Sequence, residues 1–114
     1  MSRDLDASIA GIYPVKQVVL SESTIANNEI VAAVAGMSIR MISMMLTVDG
    51  AVDIQWKSGT VARSGLMEFA DSGGMTAESQ TGLLWTAVGA ALNLDQSATV
   101  QVSGTITYIE VDGA

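Results

Sequence analysis

The stretch SIRMISMMLTV, residues 38–48, decides how this chain is read. Laid out as a strand, Ile42, Met44, Leu46 and Val48 fall on one face, and Ile39, Met41 and Met45 on the other. Successive strand residues point to opposite faces, so a half-buried strand alternates apolar and polar side chains. This one is apolar on both. A chain of 114 residues builds one layered core, and a two-sheet sandwich leaves the outer face of each sheet in water. The surplus apolar face needs a cover, and the expected cover is another copy of the same chain. Ile39, Met41 and Met45, together with Ile109 and Val111, form the expected subunit interface.

Composition supports a single domain with no room for a second core. Apolar residues make up 49% and charged residues 15%, a balance rich in apolar and poor in charge. Aromatics are 4%, so Val, Ile, Leu, Met and Ala must fill the interior. The net charge is −7. All five basic residues (Arg3, Lys16, Arg40, Lys57, Arg63) precede Ser64, after which Glu68, Asp71, Glu78, Asp95, Glu110 and Asp112 follow without a cation. An acidic chain with no basic patch is not expected to bind nucleic acid, where phosphate neutralisation dominates affinity. No run of about 18 apolar residues occurs, so no membrane span is expected. Ser2, Arg3 and Asp4 follow Met1 with no apolar segment behind them, which does not read as a cleaved signal peptide.

Residues 1–14 show no sustained period and end at the one proline, Pro14. They read as an N-terminal arm, and residues 15–114 as the β-sandwich domain. Strand signals then follow closely. Residues 15–21 are short and apolar. Asn27-Asn28 reads as a turn, followed by a strand over 29–34. Asp49-Gly50 is the strongest hairpin signal, because a type I′ turn needs positive φ at both central residues. It leads to 52–57, where Val52, Ile54 and Trp56 alternate with Asp53, Gln55 and Lys57. Short strands are expected over 60–63 and 65–70, and a surface connection over 75–82. Residues 82–91 suit a buried strand, with a helical turn over 86–92 as the alternative.

The closing segment, 98–108, alternates cleanly with its even positions apolar, and at Ile109 and Val111 the apolar phase flips. A bulge or an end contacting a neighbour explains the flip. Gly104 in mid-strand fits a bulge or a close backbone approach. The whole reads as an all-β, single-domain β-sandwich of jelly-roll topology with about eight strands.

Chemistry is scarce. The chain has no His and no Cys, which removes the commonest general base and the usual transition-metal ligands. Lys16 and Lys57 fall at wet positions. Asp49 and Asp53 are close in sequence, but a turn and a solvent face account for them better than a glycosidase pair. Asp71-Ser72-Gly73-Gly74 supplies one carboxylate and cannot close a calcium shell. Gly59, Gly65, Gly73, Gly74 and Gly82 do not spell a phosphate loop. Trp56 has the buried parity of its strand, and Trp85 sits among Leu83, Leu84 and Ala87, so core or subunit contact is favoured over a sugar platform. The methionines Met37, Met41, Met44 and Met45 read as core plus oligomer contact. No catalytic, cofactor-binding or metal-binding residue is expected, and the chain does not read as an enzyme.

QWKSGTVARSGLMEFADSGG (55–74) and AALNLDQSATVQVSGTITYIEV (90–111) resemble short all-β virion structural proteins of tailed bacteriophages. There, a strand ending in Ser-Gly precedes a Gly-bearing strand and a Gly-Gly loop. The closing run is matched here by Leu92-Asn93-Leu94, Ser97-Ala98, Val100-Gln101-Val102, Gly104 and Tyr108 to Val111. The resemblance spans roughly residues 27–111. It implies a head decoration protein that stabilises the capsid, a tumour-necrosis-factor-like jelly roll acting as a homo-oligomer, expected as a trimer. The implied partner is the major capsid protein and the implied place is the virion's capsid surface. The chain lacks the aromatic-rich inner strands of many such trimers, leaving Met and Ala faces as substitutes. The alternative reading is a receptor- or glycan-binding domain of a phage tail fibre or spike, which requires an exposed Trp56 or Trp85 and a concave polar patch.

Overall fold

The structure, a computed structural model, describes residues 13–112. Of the expected N-terminal arm it therefore includes Tyr13 and Pro14, and the rest lies outside the described residues. The strands are β1 (Lys16–Glu22), β2 (Asn27–Val31), β3 (Met37–Val48), β4 (Val52–Ser58), β5 (Val61–Ala62), β6 (Met67–Phe69), β7 (Gly74–Glu78), β8 (Leu84–Trp85), β9 (Leu92–Gln96) and β10 (Val102–Asp112). The first sheet runs β1-β10-β3-β7, with β8 also on β3; the second runs β2-β9-β4-β5, with β6 also on β4. Every pairing is antiparallel.

β7 and β8 occupy successive stretches of one side of β3, and β5 and β6 successive stretches of one side of β4. The ten segments thus fill eight strand positions. From β1 to β10 the chain changes sheet at every connection except those joining β4, β5 and β6, and β7 to β8. That is the expected jelly-roll sandwich.

Between the sheets lies one apolar layer. β4 and β9 alternate buried and half-buried positions, sending in Val52, Ile54, Trp56, Leu92 and Leu94. The first sheet contributes Leu20, Ile39, Met41, Met44, Leu46, Val48, Val102 and Ile106. Trp56, from the second sheet, is the largest fully buried side chain of the layer. Burying such a side chain is worth about 1.5–3 kcal/mol or more, so the layer carries most of the drive to fold.

β3 corrects the reading of a surplus apolar face. Thr107 pairs with Ser43 and Tyr108 with Met41, so Ile42 is one extra residue on β3. This bulge shifts the phase by one, and Ile39 and Met41 point into the same layer as Met44, Leu46 and Val48. The phase flip expected near Ile109 is the other side of the same register shift. Beyond it, Ile109 pairs with Arg40, on the sheet face away from Met41, yet Ile109 is 1% exposed. Ile42 and Ile109 are thus covered within the chain but stand outside the inter-sheet cluster.

The turns differ from expectation in three places. Asp49-Gly50 makes no hairpin: β3 and β4 belong to different sheets, neither residue has positive φ, and Asp49 N–H donates to the Gln101 carbonyl at 2.9 Å. Gly50 serves close packing instead, since a Cβ there would stand 2.7 Å from Val100 Cγ1. The tight hairpin joins β4 to β5 through Gly59-Thr60, with Gly59 at φ 59°, the positive value a type II′ turn needs at its first central residue. Asn27-Asn28 opens β2 rather than turning the chain, and β2 ends at Val31 instead of Val34. The first half of the expected surface connection over 75–82 is β7, which ends at Glu78, and no helix forms over 86–92.

Candidate functional site

Cross-strand register collects residues that are far apart in sequence. Ile109, Arg40 and Trp85 stand side by side on the outward face of β10, β3 and β8. The Arg40 guanidinium carbon lies 5.3 Å from the centroid of the Trp85 ring, within cation–π range. Gly82 makes room for the arginine stem, because a Cβ there would come within 2.6 Å of Arg40 Cγ. Trp85 is 49% exposed. Arg63 reaches the same corner from the other sheet, lining with Leu83, Leu84 and Trp85 a pocket of about 200 Å³.

Short hydroxyl side chains hold that corner by replacing ladder partners where the edge strands break. In the break between β5 and β6, Arg63 N–H and Ser64 N–H donate to the Trp56 carbonyl at 2.8 and 3.2 Å. Ser64 Oγ accepts from Trp56 N–H at 3.0 Å, and Gln55 Nε2 donates to the Ser64 carbonyl at 3.1 Å. Past β8, Thr86 Oγ1 accepts from Ile39 N–H at 2.9 Å, and Ser58 Oγ accepts from Ala87 N–H at 2.9 Å. Buried backbone donors that lose a strand neighbour need such substitutes.

The remaining sequence candidates separate. Trp56 is buried in the core and offers no ring face to a ligand. Lys16 Nζ donates to Glu110 Oε1 at 2.6 Å, and this hydrogen bond with the adjacent charge holds the ammonium above its ordinary pKa. Lys57 Nζ lies 2.8 Å from Asp95 Oδ2. Asp53 stands opposite Glu68 across the β4–β6 ladder rather than beside Asp49. Among the described residues no three His, Cys, Asp or Glu side chains gather as metal ligands would. In the 71–74 loop, Ser72 takes φ 63° and Gly73 N–H donates to the Ala70 carbonyl at 2.9 Å, which makes it a turn. The outward face of the first sheet carries a shallow polar depression of about 360 Å³, lined by Gln17, Ser43, Met45, Glu78, Thr105 and Thr107 among others.

The expected subunit interface requires correction. Ile39 and Met41 are consumed by the inter-sheet core, and Ile109 is buried within the chain, so these three present no surface to a second copy. Met45 is 54% exposed and Val111 half-buried. The convergence of Arg40, Arg63 and Trp85 has no local sequence signal, since it depends on two sheet edges meeting. No family model matches this chain, and no curated protein and no solved structure matches it.

Proposed function

We propose that this protein is a structural component of a virion, a head decoration protein that binds the major capsid protein as a homo-oligomer and stabilises the particle. The observation that carries this reading is where the resemblance falls. The stretch 55–74 supplies most of β4, all of β5 and β6, and the crossing into β7. The stretch 90–111 supplies β9 and nearly all of β10. β4, β9 and β10 are three of the four central strands of the two sheets, β3 being the fourth, so the phage-like segments fall mainly on the strands at the middle of the sandwich. Cryo-electron microscopy of the parent particle tests the proposal. Density for the chain on the head surface is expected, and density confined to the tail overturns it.

One observation favours a second reading, a receptor- or glycan-binding domain of a tail fibre or spike. Trp85 is half-exposed, and a polar depression lies on the same sheet face. A glycan array with tryptophan-fluorescence titration tests it. Trp56 is buried, so a ligand at the surface would be reported through Trp85, and silence in both assays ends this reading.

A further inference from the structure

Four basic side chains lie among the described residues: Lys16, Arg40, Lys57 and Arg63. The two lysines are paired with Glu110 and Asp95. Arg40 and Arg63 form no ion pair among the described residues, and Arg40 Nε is buried without an acceptor there. Both arginines converge on half-exposed Trp85. Exposed Val61 and Leu66 flank Arg63 on the same side of the sandwich. Glu68 and Glu78 lie farther along that side, on β6 and β7.

The opposite side is its complement. β1 and β2 are the edges of their sheets there, and they pack beside each other. Glu22 on β1 and Glu29 on β2 have no cationic partner among the described residues. Val15 and Val19, with Ile25 in the β1–β2 connection, are exposed on this side. One side therefore offers unpaired guanidinium groups, an indole and aliphatic side chains, and the other offers unpaired carboxylates and aliphatic side chains.

We propose that these two sides meet between copies of this chain. The Arg40/Arg63/Trp85 corner of one protomer receives the Glu22/Glu29 edge of the next. Arg and Trp dominate the binding energy of protein interfaces, and opposed charges set orientation. A contact between two different surfaces is head-to-tail, and such contacts close into rings when the rotation permits. The inference rests on the homo-oligomeric reading above and gives it an interface in place of the buried Ile39, Met41 and Ile109. It does not depend on a capsid as the destination.

The test is molar mass by size-exclusion chromatography with light scattering. The wild-type chain is expected well above the 11.8 kDa of one chain. Arg63→Glu with Trp85→Glu removes one side, and Glu22→Gln with Glu29→Gln removes the other without giving the first variant's new carboxylates a cationic partner; each is expected at the mass of one chain. An equimolar mixture of the two variants retains a single intact contact and is expected at twice that mass. Arg63→Glu alone, at an exposed site, guards against misfolding and is expected to shift the wild-type mass downward. A monomeric wild type, variants that keep the wild-type mass, or a mixture that stays monomeric each overturn the inference. The decoration reading is judged separately, by whether wild-type protein still coats heads in micrographs, and glycan binding at Trp85 without self-association would overturn the interface.

Discussion

Met41 and Met44, three residues apart on one strand, are buried in the same apolar layer. On a regular strand an odd separation places two side chains on opposite faces. Ile42, the extra residue against β10, reconciles them. The fold thereby uses both apolar faces of its longest strand for one core, and the chain needs no second copy to cover Ile39 or Met41.

Adjacent methionines should then respond differently to charge. Met44→Asp buries an unpaired carboxylate and is expected to cost several kcal/mol, enough to unfold a domain of this size. Met45→Asp, on the exposed side, is expected within about 0.5 kcal/mol of wild type. Chemical denaturation of both variants checks the phase of β3. Equal losses would mean that the bulge is misplaced.

Gly104 of β10 lies tight against the backbone of β3. A Cβ there would overlap the Met45 carbonyl oxygen and come within 2.8 Å of Leu46 Cα. Backbone cannot yield as a flexible side chain does, so Gly104→Ala is expected to cost at least about 1–3 kcal/mol. Thermal unfolding reads the loss, and an unchanged melting temperature would refute the close approach.

Asp53 and Glu68 face each other across β4 and β6. Like charges directly opposite destabilise a sheet, whereas opposite charges contribute about 0.2–1 kcal/mol. Glu68→Lys is expected to raise the melting temperature by a few degrees at low salt, with the gain shrinking as salt is added. A lower melting temperature at low salt would count against the pairing.

The Lys16–Glu110 pair gives a pH dependence of defined sign. The folded chain raises the Lys16 pKa above its ordinary value of 10.5. Its contribution is therefore complete below that value and is lost as pH rises through the folded pKa. The stability difference between wild type and Lys16→Met should stay constant through neutral pH and fade above about pH 10.5. Lys16 is solvent-exposed, so the difference is expected to be small. A difference that fades near pH 7 would show that another group is responsible.

Sequence alone determined what local periodicity can carry. Alternation marked 52–57 and 102–108 as strands, although the expected start at Ala98 is wrong because 98–101 lie in the bend and connection before β10, and the phase flip at Ile109 located an irregularity to within two residues. Side-chain period 2 is a property of the extended backbone, so it is written in any strand with one wet face. Which strands share a sheet is not local. Asp49-Gly50 has hairpin chemistry, yet Val48 and Val52 enter different sheets, and the tertiary pairing of β3 with β10 set the course of the chain there.

The same limit hid the candidate site. Arg40, Arg63 and Trp85 carry no common spacing, and only the stacking of two sheet edges brings them together. The sequence determined the residue types available, an acidic chain with few cations and two tryptophans. Strand parity already placed Trp56 in the core, but the tertiary structure decided that Trp85 is half-exposed at the surface, because burial there depends on what packs against the edge rather than on chain neighbours.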